Sequence, residues 1–176
     1  MIPRTLFNDE HRLFRETAAK FFETEVAPFH DRWEAQGHVP RELWRKAGEM
    51  GLLCLTIPQE YGGAGVDFVY SVIMMEEQAK TYASGVGFAL HSDIVAPYIL
   101  HYGSEEQKRK YLPRMASGEI ITAIAMTEPG TGSDLQAVKT TALRQADGTY
   151  LLNGSKTFIT NGYLCDMVVV VAKTDP

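Results

Sequence analysis

The chain has 176 residues, of which 45% are hydrophobic and 22% charged, a globular composition that excludes a disordered or collagen-like chain. Its net charge of −5 leaves neither half basic, which argues against a nucleic-acid footprint. Its two cysteines, Cys54 and Cys165, exclude a disulfide-dense scaffold and any CxxC zinc or redox motif; no metal site is assigned.

The opening Met1-Ile2-Pro3-Arg4 carries neither an apolar signal core nor an Arg/Ser-rich presequence. A reducing cytoplasm is therefore the expected compartment, ahead of a mitochondrial matrix. Asn8 is placed to cap a first helix, in which Leu13, Phe14, Ala18, Phe21, Phe22 and Val26 recur at helical spacing. Pro40 sits where a first helical residue would, ahead of the apolar stripe Leu43, Trp44 and Ala47, and Gly51 can stop that helix. Pro58 to Asp67, with Gly62, Gly63 and Gly65, reads as a loop. Asp67 can cap a helix running to about Tyr82, its apolar face built from Val69, Val72, Ile73 and Met74. A further helix is expected from Phe88 to Tyr102, ending at Gly103. Ser104 and Gln107 form a capping-box pattern for one more, with Pro113 near its end. Lys108-Arg109-Lys110 follows Glu105 and Glu106 and reads as a solvated, locally paired helix face.

After Gly118 the pattern changes. Ile120 to Met126 is an apolar run of strand length. Thr140–Leu143, Thr149–Leu152, Lys156–Thr160 and Met167–Val171 are rich in strand-forming residues. Asp147-Gly148 and Asn153-Gly154 are hairpin signals. Met167 to Ala172, the longest purely apolar run, is too short to span a bilayer. The expected fold is α+β: an N-terminal all-α helical bundle over residues 1–118, then an incomplete antiparallel β domain over residues 119–176.

The most distinctive segment is Ala125-Met126-Thr127-Glu128-Pro129-Gly130-Thr131-Gly132-Ser133-Asp134. Gly130 and Gly132 let a backbone approach a ligand and expose amide N–H groups, while Thr127, Thr131 and Ser133 add hydroxyls. Such a loop suits a phosphate, a pyrophosphate or the polar edge of a ring, although most Gly/Ser/Thr loops are turns. It is neither a Rossmann fingerprint nor a P-loop.

That segment resembles the signature of the acyl-CoA dehydrogenases, flavoenzymes that desaturate acyl-CoA thioesters. Pro58-Gln59-Glu60-Tyr61-Gly62-Gly63 resembles the family's first interhelical loop. Gly103-Ser104-Glu105-Glu106-Gln107-Lys108 with Tyr111-Leu112-Pro113 resembles its last helix before the β domain. Asn153-Gly154-Ser155-Lys156 with Phe158-Ile159-Thr160-Asn161-Gly162 resembles its second flavin strand. These motifs follow in register along essentially the whole chain. Gly87 to Ser92 and Leu135-Gln136 resemble the long-chain branch.

The resemblance implies FAD as cofactor, an acyl-CoA substrate, an electron-transfer flavoprotein as partner and a homotetramer. It places Thr127 on the pyrimidine edge of the flavin, with Ile124, Ala125 and Met126 lining the ring. It places Gly132 and Ser133 where flavin and acyl-CoA cross, Ser133 also touching substrate. Phe158, Ile159 and Thr160 match an aromatic-Ile-Thr/Ser triplet whose hydroxyl reaches the redox nitrogen. Many relatives carry Trp where this chain has Phe158, so the apolar face is kept and the indole donor lost. Thr131 stands where Ala is common. His91 lies on a helix that approaches the acyl chain in relatives, with a buried structural histidine as the other reading. Glu128 follows the flavin contact and precedes the turn, which makes it structural.

The expected reaction is α,β-dehydrogenation, which needs a desolvated base for the α-proton. In the family that glutamate lies in a C-terminal helical domain, and none of the 22 acidic residues here takes its place. The chain therefore reads as the front portion of such an enzyme, inactive by itself and expected either to self-associate or to be partly disordered after about Gly118. The alternatives are the front end of an acyl-CoA oxidase or flavin monooxygenase, and a non-catalytic helical interaction fragment.

Overall fold

A computed structural model describes residues 4–175, so the opening Met1 to Pro3 read above lies outside the described residues. The chain divides into two compact units, one ending at Ile121 and the other beginning at Thr122.

The first unit is helical. Its helices are α1 (Asp9–Phe21), α2 (His30–Gln36), α3 (Arg41–Glu49), α4 (Phe68–Lys80), α5 (Ala96–Tyr102) and α6 (Glu105–Ala116). Local chemistry starts several of them. The Asn8 side chain accepts from the His11 amide at 2.9 Å, and the His11 ring accepts from the Asn8 amide, a capping box with histidine in the usual Glu/Gln place. Asp67 accepts from the Val69 amide at 2.8 Å to open α4. Ser104 and Gln107 exchange bonds of 3.2 and 2.8 Å to open α6. Pro40 is the cap of α3 rather than its first helical residue.

Two elements differ from expectation. After Phe21 the helix widens into a π turn, Phe22–Val26, and leads into a 3-10 turn that takes up Pro28. The expected helix from Phe88 to Tyr102 is interrupted by a second π turn, Leu90–Val95, just before Pro97. In both places a proline lacking an N–H follows the widened turn, which relieves the ladder.

The core of this unit holds Phe21, Phe22, Trp44, Leu53, Ile73 and Leu112. Trp44 packs edge-on against Phe88 and His91, with ring centroids 4.7 and 5.2 Å away. Leu13, assigned to the apolar stripe of α1, is exposed. The end of α6 crosses α3 at backbone contact: a Cβ on Gly48 would lie 2.2 Å from the Ser117 carbonyl carbon. Helix α1 packs on α4. Arg15 of α1 reaches the carboxylates of Glu76 and buried Glu77 on α4, and Lys80 Nζ sits 2.8 Å from Glu77 as well.

The second unit contains β1 (Thr122–Ala125), β2 (Thr141–Arg144), β3 (Tyr150–Asn153) and β4 (Met167–Val170). The α+β class is as expected, but the sheet is not purely antiparallel. Strands β2 and β3 pair antiparallel, Thr141 opposite Asn153, whereas β1 and β4 pair parallel, Thr122 opposite Met167. Strand β1 is buried along its whole length, the pattern of a strand covered on both faces. Beyond β4 the chain runs beside β2, where Lys173 accepts from the Ala142 amide at 2.8 Å.

Asp147-Gly148 forms the β2–β3 turn, with the Gly148 amide on the Gln145 carbonyl at 3.0 Å. Asn153-Gly154 forms no hairpin. Gly154 instead passes directly over Thr140, where a Cβ would meet the hydroxyl at 2.3 Å, so its glycine serves a close crossing. Lys156–Thr160, expected as a strand, lies outside the sheets. It bends at Phe158 and then turns, with Phe158 and Asn161 at φ of 55° and 64°.

Candidate flavin site in the second unit

Strand β1 delivers its last residues to a tight turn. The Glu128 and Thr131 amides and carbonyls pair reciprocally at 2.9 and 3.0 Å around Pro129-Gly130. The Thr131 hydroxyl donates to the Ala137 carbonyl at 3.1 Å, so it is committed within the loop and Thr131 is buried. Beyond the turn, Gly132 and Ser133 are exposed. Ideal Cβ atoms on Gly130 and Gly132 meet nothing within 4 Å, so the space beside both glycines is open.

The candidate residues fall into two groups. Ile124 and Ala125 are buried in β1, and their side chains belong to the core. Met126 and Thr127 are half-buried where the strand ends. The Thr157 amide donates to the Thr127 carbonyl at 3.0 Å, which sets Phe158, Ile159 and Thr160 beside the exit of β1. Phe158 is 92% exposed and holds a left-handed backbone angle, a conformation that costs a non-glycine residue on the order of 1–3 kcal/mol and collects at binding sites. The Asn161 side-chain amide donates to the Thr122 carbonyl at 3.1 Å and ties the following turn to β1.

His91 is not part of this group. It is fully buried in the first unit, its Nε2 3.1 Å from the Met115 carbonyl, and burial pushes its proton affinity down to about 4. It has no surface to offer a substrate, so the expected substrate contact is corrected to a core histidine.

Glu128 has a larger role than its motif position suggested. Its Oε1 accepts from the Thr140 hydroxyl at 2.5 Å, the Thr140 amide at 2.9 Å and Lys156 Nζ at 2.9 Å. Its Oε2 accepts from the Lys139 amide at 2.8 Å. These donors, the Thr140 hydroxyl foremost, hold the carboxyl down at about 2. A carboxylate so well solvated by the protein is a poor base. Lys156 Nζ also donates to the Met126 carbonyl at 2.9 Å. Lys156 was legible only as part of a motif: its partners lie about 30 residues away, and no local spacing announces them.

Phe158 is exposed and the Thr157 amide joins its segment to half-buried Thr127 at the strand end, while the space beside Gly130 and Gly132 is open.

The chain belongs to the acyl-CoA dehydrogenase family. The acyl-CoA dehydrogenase N-terminal domain matches residues 8–119 and the middle domain matches residues 123–176. Among curated relatives, the mitochondrial long-chain specific acyl-CoA dehydrogenase of Rattus norvegicus is 53% identical over 172 residues, 98% of this chain and 40% of that protein. An acyl-CoA dehydrogenase crystal structure from Geobacillus kaustophilus is 50% identical with a TM-score of 0.94, covering 99% of this chain and 46% of that one. An acyl-CoA dehydrogenase of Bacillus anthracis, solved complexed with FAD, is 41% identical with a TM-score of 0.90, covering 99% of this chain and 30% of that one. The chain thus spans about 40% of the length of the long-chain relatives it matches.

Proposed function

We propose that this chain is the flavin-facing front portion of an FAD-dependent acyl-CoA dehydrogenase. One observation carries the reading: the Thr157–Thr127 bond brings the end of one flavin-motif strand, Met126-Thr127, beside the start of the other motif, Phe158 to Thr160. Their residue types and open surface fit the group. FAD, when bound, supplies the acceptor for the hydride that leaves the acyl β-carbon.

The residues assigned to the ring are Met126, Thr127, Gly132, Phe158, Ile159 and Thr160. The backbone of Ile124 and Ala125 supports them from inside the sheet. Thr127 and Thr160 supply donors toward the electron-accepting ring, where developing negative charge is stabilised by fixed dipoles. Phe158 covers an apolar face and excludes water from it. Ser133 contacts the acyl-CoA where it meets the ring. Glu128 is excluded as the base by its four donors, so the α-proton is assigned to a carboxylate outside this chain.

The likeness to long-chain enzymes supports a fatty acyl-CoA substrate and a place in β-oxidation. Transfer onward to an electron-transfer flavoprotein, a tetrameric assembly and a cytoplasmic location belong to the same reading. No described helix is long and apolar enough to cross a membrane. The test is a visible spectrum of the natural gene product. Flavin bands that bleach on adding a long-chain acyl-CoA are expected, and a protein that takes up no FAD overturns the proposal. The 176-residue stretch alone is expected to bind flavin weakly and to turn over nothing.

A further inference from the structure

Residues 154–166 contribute no strand to the sheets among the described residues, yet residues 157–160 must stay aligned with the end of β1 if both are to meet one ligand. The alignment is made by adjacent rungs. The Thr157 amide reaches the Thr127 carbonyl at 3.0 Å, and the Lys156 ammonium reaches the Met126 carbonyl at 2.9 Å. The ammonium is in turn fixed by Glu128 at 2.9 Å, with both side chains largely buried, 11% and 6% exposed. Glu128 is itself clamped by Lys139 and Thr140. The side chain of Lys156 thereby substitutes for a ladder bond that a regular strand would have made.

We propose that Lys156 and Glu128 are positioning residues of the flavin site, a buried ion pair that holds the Met126–Thr127 strand end and the Thr157–Thr160 segment in register. The inference rests on the flavin reading above. It differs from a folding role for a stated reason. When Lys156 is removed, Glu128 keeps three donors and no buried charge is left without partners. The strand end and the segment then lose one rung and drift apart, while the sheets keep all their pairs. A misplacement on the order of 1 Å is enough to cost up to about a hundredfold in a preorganised site.

The experiment uses the natural gene product and compares the wild type with K156M, K156R and E128Q. FAD affinity is read from flavin fluorescence, the environment of the ring from its visible spectrum and two-electron potential, and folding from the melting of the apoprotein. K156M is expected to weaken FAD binding by about tenfold or more and to move the potential, with the apoprotein melting nearly as wild type. K156R, which keeps the charge, is expected to recover part of the affinity. E128Q keeps one acceptor oxygen, enough for the Thr140 donors but not also for the Lys139 amide, and loses the charge that fixes the ammonium, so it shifts affinity in the same direction and also lowers the apoprotein melting point. If K156M does not fold, K156R carries the test: it keeps the charge, so a folded K156R with altered FAD affinity or potential supports the inference and one with wild-type affinity, spectrum and potential overturns it. Variants with wild-type affinity, spectrum and potential overturn this inference alone. A wild-type protein that binds no FAD overturns the flavin reading and this inference with it.

Discussion

The Nε2 of His91 donates to the carbonyl of Met115 across 3.1 Å in the core of the helical unit, and neither residue has exposed surface. Burial lowers the proton affinity of His91 to about 4 from an ordinary 6.5, the carbonyl opposing this only in part. Below 6.5 the unfolded chain takes up a proton that the folded chain refuses. The stability this site contributes is therefore complete above 6.5 and is lost as pH falls toward about 4, a loss of roughly 3 kcal/mol. His91→Gln, which can still donate to the carbonyl and does not titrate, should flatten the stability of the helical unit across that range. Parallel denaturation profiles for the two proteins would show that the histidine is not the titrating group.

Glu128 governs a different range. Its folded value of about 2 lies below the ordinary 4.5. The stability it contributes is present above 4.5 and disappears as pH falls through about 2. Thr140→Val removes the donor with the largest effect, so the carboxyl should titrate at higher pH and the β unit should unfold earlier in acid. A carboxylate carbon titration by NMR reads the first effect and far-ultraviolet dichroism the second. An unchanged midpoint for Glu128 in the variant would contradict the assignment.

Sequence legibility followed the range of each interaction. The caps at Asn8, Asp67 and Ser104 act within three residues, and each is readable from residue type and spacing. The parallel pairing of β1 with β4 joins Thr122 to Met167, and nothing in either run specifies direction. Lys156–Thr160 has strand composition, and only the tertiary contacts of Lys156 and the left-handed Phe158 show that it leaves the sheet. The candidate site was readable only as a pair of separate motifs. The ion pair that joins them was not, because Glu128 and Lys156 owe their meeting to the fold.

Gly48 and Gly132 should separate packing from ligand access. A Cβ on Gly48 would sit 2.2 Å from the backbone of Ser117, which cannot rotate away. Gly48→Ala should therefore destabilise the helical unit by about 3 kcal/mol, seen as a lower midpoint in denaturant. A Cβ on Gly132 would meet nothing within 4 Å. Gly132→Ala should melt as wild type and lose FAD affinity in the natural gene product, because the methyl occupies space assigned to the ligand. If G132A lowers stability and spares FAD binding, the open space beside that glycine has been misassigned.

The β2–β3 hairpin gives the 176-residue chain a reason to associate when it is produced alone. Leu151 and Leu152 are neighbours on a strand, so they point to opposite faces, and both are more than half exposed, at 59% and 54%. Tyr150 on the same strand and Leu143 on its partner are exposed as well. A short ribbon with apolar groups on both faces is marginal in water, and although Lys173 pairs with β2, β3 pairs with β2 alone among the described residues and presents its other edge. Sedimentation of the isolated chain should therefore show concentration-dependent self-association. The double variant Leu151→Thr and Leu152→Thr keeps β propensity while removing apolar surface, and it should shift the population toward monomer. Wild-type chain that remains monomeric as concentration rises would show that these side chains are not sticky enough to matter.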